Sequence, residues 1–341
     1  MAKNFGGRWE HVKDLSEGGQ AWTYLVKRVP SGPDSTLHVL KRLKNPKRLG
    51  RFSNEIEAIK KLSHPAVIKM IDYDLDCETP YLVTEYCEGG PLSKATAFWR
   101  ATPSDALLLF EQILEGMKHI HENEVIHRDI KPENVFLRTA SGPPVMGDFG
   151  LSFMLDDDER HTMTNEAVGS RHYMAPELED GRVEAVNSSS DVYSLGKLLY
   201  WLFTGRVFSR EEHRDERNDV KRFFKDPFTG QGSPELEHVN ELLDFMITKN
   251  PHDRRDVENL LALTRQARRL VSERFHALTL KIRHPCSFCG RGTYALKVDG
   301  DVTATRNFGM NPMGADRKRV LVCDRCRHVQ IFDFGPEGEW R

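Results

Sequence analysis

Asp129, Asn134 and Asp148 fall within twenty positions of one another, inside the runs His127-Arg128-Asp129-Ile130-Lys131-Pro132-Glu133-Asn134 and Gly147-Asp148-Phe149-Gly150. A carboxylate beside an incoming hydroxyl can accept its proton. An amide oxygen and a second carboxylate are hard oxygen ligands, suited to the magnesium ions that neutralise a triphosphate. Phosphoryl transfer needs these groups fixed in line, with little covalent work left for the protein. The spacing therefore points to phosphoryl transfer, and the rest of the chain must supply the elements that hold the three side chains in place.

The two runs resemble the catalytic loop, H-R-D-x-x-x-x-N, and the metal-binding triplet, D-F-G, of the protein kinase family, and both match without substitution. The resemblance implies that Asp129 orients the substrate hydroxyl and takes its proton, that Lys131 stabilises charge on the transferred phosphate, and that Asn134 and Asp148 hold magnesium. Lysine two places after the aspartate is the serine/threonine-specific form. Upstream, Val39-Leu40-Lys41 is similar to the strand whose lysine meets the α and β phosphates of ATP. In the helix-like segment from Arg51 to Ile59, Glu55, rather than Glu57, matches the ion-pair partner of that lysine.

The phosphate-covering loop departs from the family pattern. G-x-G-x-x-G-x-V falls on Ser16-Glu17-Gly18-Gly19-Gln20-Ala21-Trp22-Thr23, so Ser16, Gly18, Ala21 and Thr23 stand at the nucleotide-binding positions and only the middle glycine is kept. Serine and alanine are small enough for close approach but restrict the backbone, which predicts weaker or slower nucleotide handling. The run from Tyr81 to Leu92 resembles the hinge between kinase lobes, with Thr84 as gatekeeper and the backbones of Glu85 and Cys87 toward adenine. The Cys87 thiol is expected to fill space and do no chemistry.

Between Asp148 and Ala175-Pro176-Glu177 the chain is similar to an activation segment carrying Thr162, Thr164 and Ser170. Phosphorylation of Thr162 or Thr164 would offer Arg128 a dianion. Arg254 matches the family arginine that pairs with Glu177, and Asp191 the aspartate that braces the catalytic loop.

Composition agrees with a soluble protein: 341 residues, 39% hydrophobic, 29% charged, formal net charge -2. The N-terminus shows no apolar signal-peptide core, and runs such as Leu198 to Phe203 are too short to span a bilayer. These features predict a cytoplasmic protein without membrane partners. Leu107, Phe110, Leu114, Met117 and His121 recur at helical spacing behind Thr102-Pro103-Ser104-Asp105, a plausible cap. A second apolar helix is predicted from Val192 to Phe203, its start marked by Ser189-Ser190-Asp191, and one or two further helices from Val257 to Leu278.

The expected fold is α+β: a bilobal protein-kinase fold with a β-rich N-lobe (residues 1–86) and an α-rich C-lobe (87–265), a helical linker (266–283) and a small four-cysteine, zinc-ribbon-like β domain (284–341). The tail holds Cys286-x-x-Cys289 and Cys323-x-x-Cys326, separated by 33 residues. Two such knuckles suit a closed tetrahedral structural zinc site. The competing use, disulfides, is disfavoured in a reducing compartment. His284 and His328 read as bystanders, and strands are expected over 293–298 and 329–334, with a projecting loop between the knuckles. Residues 281–341 carry 11 Lys/Arg against 7 Asp/Glu, which leaves a protein or a nucleic-acid partner open for this basic module.

Two functional classes follow. One is an ATP- and Mg2+-dependent serine/threonine kinase acting on protein substrates; the other is a catalytically weak adaptor that works through its ribbon. Retention of Lys41, Glu55, Asp129, Asn134 and Asp148 favours the enzyme.

Overall fold

The computed structural model describes residues 4–17, 21–30, 32, 35–95, 102–149, 172–179, 187–208, 217–223, 236–280, 289, 294–296, 318–323 and 329–333. The N-terminal part is a six-stranded antiparallel sheet built from β1 (Asn4–Phe5), β2 (Trp9–Glu17), β3 (Ala21–Arg28), β4 (Leu37–Leu43), β5 (Met70–Asp74) and β6 (Tyr81–Glu85). The strand order is β1-β2-β3-β4-β6-β5. Successive side chains of a strand point to opposite faces, so Leu40 and Lys41 on β4 separate the two sides of this sheet. Leu40 joins Phe5, Trp9, Tyr24, Val26, Tyr81 and Val83 in a buried cluster on the face turned away from Lys41. The N-terminal segment covers that face. Trp9 Nε1 donates to Asp72 Oδ2 at 2.7 Å, and Arg8 donates to Asp72 and Asp74 at 2.9 Å each.

Between β4 and β5 runs α1 (Leu49–Lys60). Phe52, Ile56 and Ile59 recur at helical spacing and are buried, and Glu55 is buried among them at 4% exposure. This is the helix whose position sets the reach of Glu55.

In the following part, α2 (Pro103–Glu122) starts with a complete capping box in which Thr102 and Asp105 satisfy each other's backbone N–H, with proline in the first turn. Leu107, Phe110, Leu114 and Met117 are all fully buried. The chain then forms a small antiparallel sheet from β7 (Gly90–Pro91), β8 (Val135–Leu137) and β9 (Pro144–Met146), with the catalytic loop just ahead of β8 and Asp148 just after β9. Met146 also bridges to Val67.

The apolar helix α3 spans Ser188–Thr204 and is buried almost throughout. Its cap is Asn187, whose side chain accepts from Ser189 N at 2.8 Å. The helix ends at Gly205, whose φ of 69° is the left-handed conformation favoured by glycine. Two more helices follow, α4 (Glu237–Met246) and α5 (Val257–Leu280), the latter one continuous helix where the spacing leaves one or two open.

By compactness the chain divides into one unit of residues 1–218 and 240–265 and a second of 219–239 and 266–341. The second holds an antiparallel sheet of β10 (Tyr294–Leu296), β11 (Lys318–Cys323) and β12 (Val329–Asp333). β11 occupies sequence whose charges suggest a basic patch and a projecting loop; its run Val320-Leu321-Val322 is the strand signal. No helix among the described residues is long and apolar enough to cross a membrane.

Candidate active site

The catalytic loop is held from beneath by one carboxylate. Asp191, in the first turn of α3, is fully buried and accepts from His127 N at 2.9 Å and from Arg128 N at 2.8 Å. Its Oδ2 also lies 2.9 Å from His121 Nε2, at the end of α2. Burial by itself would raise this carboxyl, but the His121 ring, His127 and the loop amides outweigh it and hold its pKa below the usual range. Arg128 adopts φ 66° and Asp148 φ 61°, so the chain passes through left-handed backbone at both ends of the site. Strain of this kind survives where surrounding hydrogen bonds over-determine it, and Asp191 supplies them at Arg128.

His127 is fully buried and joins the two motifs. Its Nε2 lies 3.1 Å from Gly147 O, and since a carbonyl only accepts, Nε2 carries the proton. The ring packs at 4.8 Å against Phe149 of the Asp-Phe-Gly run. Gly147 N in turn donates to Asn134 O at 3.0 Å, which ties Asp148's neighbour to Asn134 through the backbone.

Around Asp129 the side chains converge. Lys131 Nζ donates to Asp129 Oδ2 at 2.9 Å, and Asn134 Nδ2 donates to the same oxygen at 2.8 Å and to Asp129 O at 2.7 Å. The Asn134 amide nitrogen is thereby committed to Asp129, which leaves its side-chain oxygen as the atom that could meet a cation. Asp129 and Asn134 are buried, at 7% and 5% exposure. Two donors on one oxygen fix the direction in which the Asp129 carboxylate points.

Lys41 crosses the cleft. Its Nζ donates to Glu55 Oε1 at 3.0 Å and also pairs with Asp148 Oδ1. Glu57 plays no part in this, since it pairs instead with Lys60 at 2.5 Å. Burial works against the Lys41 ammonium, but Asp148 and Glu55 together outweigh it and raise its pKa. Asp148, opposed by burial, is held low by Lys41. Burial dominates at Glu55 and pushes it up to about 7, with Lys41 opposing and Asp148 adding to the rise. Among the described residues, Glu55 Oε2 is buried without a hydrogen-bond partner.

Of the phosphate-loop positions, Ser16 ends near the tip of β2 and pairs across the hairpin with Thr23 of β3, while Ala21 opens β3 and is buried. Gly18 lies outside the described residues. Glu85 closes β6, and Cys87 is buried at 5% exposure, its thiol pushed up to about 11 by burial and by Glu85. The thiol is therefore neutral, as expected for a space-filling cysteine.

Arg254 meets Glu177 in a bidentate pair, Nη1 to Oε1 at 2.5 Å and Nη2 to Oε2 at 3.0 Å, and Ser190 Oγ adds a bond to Oε1 at 2.8 Å. Thr162, Thr164 and Ser170 lie outside the described residues. Two residues that bond to groups named above go unassigned by the sequence reading. His121 figures there only as part of an apolar stripe, although a polar ring ending such a stripe is itself a signal of a buried acceptor. Arg138, just past β8, bears no motif at all.

A protein kinase domain model matches residues 9–264. The chain belongs to the protein kinase family. It is 29% identical over 266 residues to the serine/threonine-protein kinase PrkC of Bacillus subtilis, a match covering 76% of this chain and 38% of PrkC. It is 32% identical to Pkn1 of Myxococcus xanthus over 60% of this chain and 30% of that protein, and 28% identical to mouse Nek1 over 74% and 21%. The matches thus span less than two fifths of each of these relatives. The sheet-bearing N-terminal part and the helical part after it are the two lobes of the kinase fold.

The cysteine knuckles have no such support. Among the described residues no group of three or more His, Cys, Asp or Glu side chains is arranged to hold a metal. Cys289 sits in a turn and Cys323 ends β11, whereas Cys286 and Cys326 lie outside the described residues.

Proposed function

We propose that this chain is a serine/threonine-protein kinase of the cytoplasm that transfers the γ-phosphoryl group of ATP to hydroxyls of protein substrates. The observation that carries the reading is the Lys41 ammonium spanning Glu55 and Asp148, with the Asp129, Lys131 and Asn134 cluster built on the same loop. A shape-only adaptor has no need of that arrangement.

The donor set fits the nucleotide and its metal. Asp148, 42% exposed at its side chain, and the Asn134 carbonyl oxygen would hold Mg2+, and Lys41 would meet the α and β phosphates once drawn from Asp148. Magnesium held there would supply charge neutralisation at the phosphates. Asp129 would orient the acceptor hydroxyl and take its proton, and Lys131, already 2.9 Å from Asp129, would face charge on the moving phosphoryl group. Ser16, Gly18, Ala21 and Thr23 would cover the phosphates, and the backbones of Glu85 and Cys87 would bind adenine. Among the described residues Arg128 Nε is buried without a partner, which supports its pairing with a phosphate on Thr162 or Thr164.

For the tail we propose a structural zinc on Cys286, Cys289, Cys323 and Cys326. The supporting feature is the pairing of the strands beside the knuckles. Cys323, which opens the second knuckle, is the last residue of β11, and its partner across the sheet is Tyr294, five residues after Cys289. The basic surface of this module would serve a protein or nucleic-acid partner.

The test is radiolabelled transfer to a mixed peptide library by the wild type, Asp129→Asn and Asp148→Ala. Incorporation on serine and threonine by the wild type alone is expected; equal incorporation by all three would end the enzyme reading.

A further inference from the structure

Beyond the motifs, one guanidinium ties together three segments of the chain. Arg138 Nε donates to Glu85 Oε2 at 3.1 Å, and its Nη2 donates to Glu85 Oε1 at 2.8 Å. The remaining arm, Nη1, donates to Pro65 O at 2.7 Å, ahead of β5. The backbone repeats the link, because Arg138 O accepts from Glu88 N at 3.1 Å and Leu137 O from Gly89 N at 3.0 Å. Glu85 is fixed on its other side too: its Oε1 accepts from Lys69 N, and its own N donates to Lys69 O, both at 2.9 Å. At Gly89 there is no space for a side chain, since a Cβ would lie 2.3 Å from Thr139 O. The segment after β6 is thus seated backbone against backbone on the hairpin that follows the catalytic loop.

Only an arginine makes this junction. A planar fork can give two parallel bonds to a carboxylate and a third to a carbonyl on its far side, whereas a lysine is a point charge. With side-chain exposures of 32% and 23%, the Arg138–Glu85 pair is partly open to water. Pairs so placed add little to global stability. What the junction does is restrict where the chain from Glu85 to Gly89 can go.

We propose that Arg138 is a positioning residue for the nucleotide base: it holds the Glu85–Cys87 backbone in the one register that meets the adenine edge. The inference rests on the nucleotide reading given above and adds a residue to it. Freed from Arg138, the segment would sample more conformers, and apparent affinity falls by the fraction that remains competent. The phosphates are gripped elsewhere, at Lys41, Asn134 and Asp148, so the loss falls on base recognition and not on phosphate binding.

The experiment measures Kd for Mg-ATP and Mg-GTP by titration calorimetry on the full chain, together with kcat and Tm, for the wild type, Arg138→Met and Arg138→Lys. Arg138→Met is expected to weaken ATP about tenfold and GTP by less than about twofold, so that discrimination collapses, with kcat within about twofold of wild type. Its Tm should move by only a few degrees. Arg138→Lys should recover only part of the discrimination. The proposal is overturned if Arg138→Met keeps the wild-type ATP to GTP ratio, or if both affinities and Tm fall together, as a purely structural role requires. If Arg138→Met does not fold, an unchanged ratio in Arg138→Lys overturns it equally. A wild type that binds neither nucleotide removes the nucleotide reading and this inference with it, whereas a binding wild type beside an indifferent Arg138→Met removes the inference alone.

Discussion

The catalytic loop and the terminal three-stranded sheet solve the same problem, fixing reactive side chains, with different resources. Around residues 127–149 three carboxylates are held by groups from distant parts of the chain or from the loop itself: Asp191 by backbone and ring donors, Asp129 by Lys131 and Asn134, Asp148 by Lys41. These polar contacts are possible because α2 and α3 surround them with buried apolar side chains. The terminal sheet has strands of 3, 6 and 5 residues. On the zinc proposal the order of so small a sheet comes from a ligand that binds its thiolates. On that proposal, the large domain holds its polar groups with protein alone, whereas the small one borrows a metal to do so.

The largest effect that would break this contrast is at Asp129. Asp129→Asn keeps the shape and two hydrogen-bond positions but removes the proposed proton acceptor, and transfer should fall by about a thousandfold with Tm nearly unchanged. A peptide-phosphorylation time course checks it, and a loss under about tenfold would mean that the loop's order is not serving proton transfer.

Next comes metal removal. Treatment with a zinc chelator should abolish amide protection at 294–296, 318–323 and 329–333 while peptide phosphorylation, with magnesium replenished, stays within about twofold. Hydrogen exchange followed by mass spectrometry reads both regions at once. Persistence of the sheet without metal would show that its own core suffices.

Arg254→Met leaves the Glu177 carboxylate buried and short of its two strongest donors, so a destabilisation of about 3 kcal/mol is expected by chemical denaturation. A cost below about 1 kcal/mol would show that this pair is not part of what braces the C-lobe.

The smallest effect concerns pH. Asp191, Asp148 and Glu177 have folded pKa values below their ordinary ones, so their contribution is present above about pH 4 and disappears as pH falls through the lower, folded values. Glu55 runs the other way. Raised from 4.5 to about 7, it favours the fold most at pH below 4.5, and that contribution fades as pH climbs through about 7. Glu55→Gln should flatten this alkaline-side decline, measured as denaturation midpoints from about pH 4.5 to 8. An unchanged slope would mean that Glu55 is ionised throughout.

Much of the site could be read before any fold was known. The order of Lys41, Glu55, Asp129, Asn134 and Asp148 along the chain names the chemistry because local motifs must place fixed residue types at fixed spacing for a loop to present them. The helix from Pro103 was equally plain, with its cap and apolar stripe written in adjacent residues. The central strand of the terminal sheet was not, since Lys318 and Arg319 at its start masked a short apolar run whose partner strands lie on both sides of it.

Linear sequence determined which residue types stand in the candidate motifs and the apolar periodicity of the elements that carry them, because both are local properties. Only tertiary structure decided that Glu57 turns to Lys60 while Glu55 reaches Lys41, that His121 leaves its apolar stripe to meet Asp191, and that Arg138 joins three segments of the chain. Each of those outcomes depends on where an acceptor or donor sits in space, and a buried polar group selects its partner by distance after the chain has packed, not by separation along it.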